Sequence, residues 1–225
     1  MAMQTAGAVR GGHLESGQSP LEEVVNGSTH ALGLFLSIGG ASVLVVFASI
    51  YGTAGHIVGS SIYGATLLLL YAASTWYHGA RFLGFNQSFR TIEQTFIFLL
   101  IAGTYTPFTL TVLTAGWGWS LFGVVWGMSI TGIILNTLYF HRFAAISNLL
   151  YLGMGWLCLI AIVPLKDSLP VGGLVWLSLG GVAYTSGIIF LSWNKIPFSH
   201  GIWHLSVLAG SICHYFAILF YVIPL

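Results

Sequence analysis

Val43-Leu44-Val45-Val46-Phe47 and Leu67-Leu68-Leu69-Leu70 lie within a run, Val24 to Ala80, that contains no Asp, Glu, Lys or Arg. Both segments are apolar on every face. A strand of a membrane β-barrel alternates its two faces over about ten residues, so a barrel is rejected. A membrane-spanning helix needs about 20 mostly apolar residues. The run is too long for one such helix, and Gly52-Thr53-Ala54-Gly55 interrupts it near the middle. It is read as two helices, 27–50 and 57–79.

The same reading extends along the chain. Gln94 to His141 is again free of charge, and Thr114-Ala115-Gly116-Trp117-Gly118 divides it into helices near 91–112 and 118–138. Phe143 to Leu165, Ser168 to Asn194 and Ile196 to Leu225 supply one helix each. The expected fold is an all-α membrane protein with seven transmembrane helices. Residues 1–23 are expected to form a polar, flexible N-terminal tail without the basic start and apolar core of a signal peptide. Residues 24–225 form the transmembrane domain, with connections too short for a soluble module.

Composition agrees. Of 225 residues, 56% are hydrophobic and 5% charged, where a soluble domain carries about 25% charged residues. A soluble enzyme and a disordered chain are excluded. The net charge of +1 leaves no electrostatic footprint for nucleic acid. A multi-pass location in the cell (inner or plasma) membrane is expected.

Lys and Arg placement sets the orientation. Arg10, Arg81, Arg90, Arg142 and Lys195 all fall on the side of the N-terminus, and only Lys166, beside Asp167, falls opposite. The N-terminus is therefore expected inside and the C-terminus outside. Tyr51, Trp117, Trp119, Tyr139 and Trp193 lie near helix ends, as interfacial belts require. Gly is abundant, with 29 residues. Gly123-x-x-x-Gly127, Gly153-x-Gly155 and Gly180-Gly181 are read as sites of close helix packing. None forms a dinucleotide-binding G-x-G-x-x-G.

Ionisable groups inside a bilayer are costly and mark function by default. With the helices placed as above, Asn26 and His30, Ser74 and His78, Glu93, and His200 and His204 come from four different helices and share the inner depth. Ser74 and His78 are four residues apart, as are His200 and His204, so each pair shares a helix face with Cβ atoms about 5–6 Å apart. His200 and His204 can grip one metal ion, and His78 completes a three-histidine set of the kind catalytic zinc sites use. Zinc lowers the pKa of bound water to about 7. Glu93 could serve as general base, as a water-positioning group or as a fourth ligand. The H-E-x-x-H protease motif is absent.

Other readings of these residues remain open. A histidine in a helix bundle can simply hydrogen-bond across helices, a contact worth about 0.6 kcal/mol. Asn26 and His30 either support the ligands from outside or only pack. Ser74 can bond a carbonyl of its own helix. His214 lies ten residues past His204, about 80° off its face, and is not taken as a ligand. Cys158 and Cys213 imply no disulfide framework.

The chain resembles the hemolysin III family of integral membrane proteins, related to the progestin and adipoQ receptors, from Glu22 to Pro224. The resemblance is carried by Glu22-Glu23-Val24-Val25-Asn26-Gly27-Ser28-Thr29-His30, Ala73-Ser74-Thr75-Trp76-Tyr77-His78, Ile101-Ala102-Gly103-Thr104-Tyr105-Thr106-Pro107, Ser199-His200-Gly201-Ile202-Trp203-His204 and Leu208-Ala209-Gly210-Ser211-Ile212-Cys213-His214. It implies seven helices, an inside N-terminus and a zinc ion held at His78, His200 and His204. It also implies that Ser74 and a helix-3 carboxylate accompany the metal. The wider superfamily includes alkaline ceramidases and is viewed as metal-dependent amide hydrolases. Family members are linked to haemolysis and membrane homeostasis. Where the family has Asp-His, this chain has Glu93-Gln94. The carboxylate is kept, one methylene longer, but the imidazole able to shuttle protons near pH 7 is replaced by an amide.

Three functions compete. The first is a zinc-dependent hydrolase of a lipid amide or ester, with Glu93 and Ser74 as catalytic groups and membrane lipids as substrate or ligand. The second is a non-enzymatic receptor or membrane-state sensor whose zinc is structural. The third is a haemolytic pore. A pore calls for polar faces along whole helices or rings of charge, whereas the polar groups here share one depth.

Overall fold

The computed structural model describes residues 19–83, 90–113, 115–193 and 195–224. Residues 1–18 of the tail, with Arg10 and His13, lie outside the described residues, as do Thr114 and the side chains of His141 and Arg142.

Among the described residues the elements are helices. α1 spans Pro20–Tyr51, α2 Ala54–Phe82, α3 Arg90–Pro107, α4 Ala115–Leu138, α5 Phe140–Gly155, α6 Ile162–Ser168, α7 Val171–Ser192 and α8 Ser199–Tyr221. Six helical segments are long and apolar enough to cross a membrane alone, and the count is seven when the bent pair α5–α6 is taken as one broken span.

Several boundaries differ from the sequence reading. α1 starts at Pro20, earlier than position 27. The Ser19 hydroxyl accepts the Glu22 N–H, the Glu22 carboxylate accepts the Ser19 N–H, and Pro20 sits at the first helical position, a combination that starts helices. α8 starts at Ser199, later than position 196. Ile196 precedes Pro197, which disfavours helix, and the turn through Phe198 must close first. The single helix expected over 143–165 is broken. α5 stops at Gly155, Leu157–Leu159 forms one turn of 3₁₀ helix, and α6 leaves at 55°. α3 runs on from Pro107 into a wider π-type turn, Phe108–Val112, where the Leu113 N–H reaches Phe108 O at 2.9 Å.

Successive long helices pack against each other, α3 also touches α5, and α8 returns to α1 to close the bundle. Small residues permit these approaches. A Cβ on Gly59 would stand 2.8 Å from the Pro107 backbone, and one on Gly132 2.4 Å from the Phe98 ring. Gly180 backs directly onto His214. At Gly123, Gly127, Gly153 and Gly155 an added Cβ would meet no described atom within 4 Å, so the expected packing role of those four within the chain is not found. Tyr51, Trp117, Trp119, Tyr139 and Trp193 are exposed near helix ends.

Between α3, α5–α6, α7 and α8 lies an apolar cavity of about 170 Å³. Leu70 and Ile97 line it, each four residues along its helix from Ser74 and Glu93 respectively, as does Trp203, the residue before His204.

Candidate metal centre

The first helix buries Glu23, Asn26, His30, Gly33 and Ser37, at steps of three and four residues. That spacing is one face of an α-helix, and it is polar at its N-terminal end. α2 brings Ser74, His78 and Arg81 to the same level, α3 brings Glu93 in its first turn, and α8 brings His200 and His204.

The structure gathers the expected ligands. One ligand atom from each of His78, Glu93, His200 and His204 lies within 4.8 Å of the other three. His78, Glu93 and His204 are buried, and His200 is half-buried. The imidazole centroids stand 4.5–5.1 Å apart. Glu93 Oε1 is 3.6 Å from His78 Nε2 and 3.7 Å from His204 Nε2.

Hydrogen bonds fix which nitrogen of each buried ring faces the centre. His78 Nδ1 donates to Glu23 Oε2 at 2.7 Å. His204 Nδ1 donates to the Asn26 carbonyl at 3.1 Å, with the Thr29 hydroxyl 3.3 Å away. Carboxylate and carbonyl can only accept, so both rings carry the proton on Nδ1 and turn the Nε2 lone pair inward. Those two Nε2 atoms are buried and make no hydrogen bond. Two orphaned lone pairs beside a carboxylate are costly unless a cation meets them. Outer partners that hold a ring by its other nitrogen are what metal-binding histidines use. In a tetrahedral site with bonds of about 2.1 Å the ligand atoms are about 3.4 Å apart, close to the 3.6 and 3.7 Å from Glu93 to the two buried rings. The residues could hold a metal ion.

Ser74 donates to Glu93 Oε1 rather than to its own helix. His30 stacks on His204, with centroids 3.6 Å apart and planes 25° from parallel, and its edge meets Tyr71. Asn26 and His30 therefore support α8 from α1. His214 lies outside the group, stacked on Tyr184. Cys158 and Cys213 are free thiols. Gln94 serves through its backbone, whose carbonyl accepts the Tyr151 hydroxyl at 3.1 Å.

Sequence reasoning missed Glu23 as the partner of His78. Its second oxygen lies 3.3 Å from Arg81 Nε, so one buried carboxylate bridges a cation and an imidazole. The signal was present, since Glu23 shares the face of Asn26 and His30. The role of the Asn26 carbonyl had no such signal.

A family model described as haemolysin-III related matches residues 18–215. The chain is 43% identical to Hemolysin-3 of Bacillus cereus over 203 residues, covering 90% of this chain and 93% of that protein. It is 43% identical to a Hemolysin-3 homolog of Bacillus subtilis (strain 168) over 200 residues, 89% of this chain and 94% of the relative. It is 30% identical to the human monocyte to macrophage differentiation factor over 165 residues, 68% of this chain and 65% of that one.

Proposed function

The chain belongs to the haemolysin-III related family of multi-pass membrane proteins, and from that premise we propose that it is a zinc-dependent hydrolase of a lipid amide or ester. The observation that carries the reading is the convergence of the His78 and His204 Nε2 lone pairs on Glu93 Oε1, with His200 alongside and an apolar cavity whose lining residues Leu70 and Ile97 lie one helical turn from Ser74 and Glu93. His78, His200 and His204 hold the metal. When bound there, zinc supplies a Lewis acid and makes hydroxide available near neutral pH. Glu93 takes the proton as the oxygen of water bonds to the substrate carbonyl carbon. It returns the proton to the nitrogen or oxygen that leaves as the acyl bond breaks. Ser74 holds the Glu93 carboxylate in place for both transfers. The cavity receives the apolar chain of a membrane lipid entering sideways. The N-terminus and the centre face the cell interior, as the Lys and Arg distribution supports.

One observation favours a second reading. The 3.6 and 3.7 Å separations suit Glu93 as a direct fourth ligand, which closes the site and makes the zinc structural. The protein is then a membrane-state receptor or sensor.

The test is elemental analysis of detergent-purified protein beside a His200→Ala/His204→Ala variant, followed by lipid hydrolysis with Glu93→Gln. About one zinc per chain, lost in the double variant, is expected. Absence of metal from folded wild type supplied with zinc overturns both readings. Zinc without turnover on lipid amides or esters leaves the structural one.

A further inference from the structure

Glu22 stands where two helices begin. Its Oε2 accepts the Ser19 N–H at 2.7 Å and so closes the start of α1. Its Oε1 accepts the Phe198 N–H at 3.1 Å, 176 positions away in sequence. Phe198 immediately precedes α8 and has φ 58° and ψ 21°. It is the one non-glycine residue with positive φ among the described residues. A bulky residue in that region is an outlier, and such strain persists only where the surroundings impose it. No side chain caps α8 from within its own turn. Two residues after Phe198 comes His200, the member of the centre that is not fully buried. The neighbouring Glu23 meanwhile holds His78. Adjacent carboxylates on α1 thus each reach a different helix that carries a ligand.

We propose that Glu22 is a positioning residue for His200. Its carboxylate holds Phe198 in the left-handed conformation, and that turn aims the first turn of α8 at the centre. The inference rests on the metal reading given above. It assigns Glu22 no contact with substrate or metal.

The test uses the full chain in detergent, loaded with zinc alone, and reads the rate of zinc release to excess chelator. Glu22→Ala is expected to speed release about tenfold or more, as loss of outer support does at metal sites. Adding Phe198→Gly to Glu22→Ala is expected to restore release to within about threefold of wild type, because glycine adopts positive φ without a side-chain penalty. Loss of the α1 cap alone lowers thermal stability and does not respond to glycine at 198. Wild-type release in Glu22→Ala, or no recovery with Phe198→Gly, overturns the proposal. Glu22→Leu, which keeps the side-chain bulk and removes both acceptor oxygens, gives the same comparison if the alanine variant does not fold. If wild type takes up no zinc, the metal reading fails by itself. Acylation of His200 by diethyl pyrocarbonate in zinc-free protein then decides. It is expected to quicken in Glu22→Ala and slow again with Phe198→Gly, and unchanged reactivity overturns the proposal.

Discussion

Glu23 and His78 face each other from α1 and α2 across 2.7 Å, carboxylate Oε2 to imidazole Nδ1, with both side chains buried. Removing the charge while keeping the shape separates orientation from stability. Glu23→Gln is expected to weaken zinc binding about 10–100-fold, measured by competition with a chelator. Glu23→Gln and Glu23→Ala both take the carboxylate from Arg81, and Glu23→Ala also removes the polar atom that stands 3.3 Å from its Nε. That variant is expected to lose about 3–5 kcal/mol of stability, visible as a lowered melting temperature in detergent.

Glu93 separates the two readings of the centre. As a general base, Glu93→Gln keeps its zinc and loses about 10²–10⁴-fold in turnover. As a fourth ligand, the same variant loses zinc. The first outcome is expected. Ser74→Ala, which removes the hydroxyl that Glu93 accepts, is expected to retain metal and lower turnover by about tenfold, in line with a lost hydrogen bond of about 1–1.5 kcal/mol. Metal content and initial rates on the same preparations check both.

The spans were legible because charges are so few that the gaps between them measure helices directly. The grouping of His78, Glu93, His200 and His204 was legible because helix direction alone puts them at one depth. The break in the fifth span was not, since Phe143 to Leu165 is continuously uncharged and closely spaced glycines like its Gly153 and Gly155 also lie inside an unbroken helix, as Gly180 and Gly181 do in α7. The partner of His204 was hidden because it is a backbone carbonyl, which any residue at position 26 would carry. The link from Glu22 to Phe198 joins chain positions whose proximity only the closed bundle creates.

Glycine positions give a packing test with an internal control. Gly59→Ala drives a Cβ into the Pro107 backbone, which cannot rotate away. It is expected to cost about 1–3 kcal/mol. Gly127→Ala meets nothing nearby and is expected to be neutral or to gain up to about 1 kcal/mol from better helix propensity. Thermal unfolding of the two variants side by side reads the difference.

Orientation can be checked with single cysteines in a background where Cys158 and Cys213 are replaced by serine. Arg81 is a poor probe because it is buried against Glu23. Leu83 and Lys166 are exposed. Leu83→Cys is expected to react with an impermeant maleimide only from the inner side of sealed vesicles, and Lys166→Cys only from the outer side. Labelling of both from one side refutes the seven-span topology.

The bend in the fifth span leaves backbone groups that no helix of its own can satisfy. The Tyr105 hydroxyl, from α3, lies 2.9 and 2.8 Å from the carbonyls of Met154 and Gly155 and accepts the Cys158 N–H at 3.0 Å. Within lipid no water is available to replace that hydroxyl. The seven residues of α6 are also far short of a span that could enter a membrane alone. The bend that precedes α6 therefore depends on Tyr105 of α3 being in place beside it. During synthesis α3 leaves the ribosome first, so the partner is already waiting when the broken segment arrives. A chain cut and supplied as two fragments should reassemble when the cut falls after α4, and stall when Tyr105 is replaced by phenylalanine.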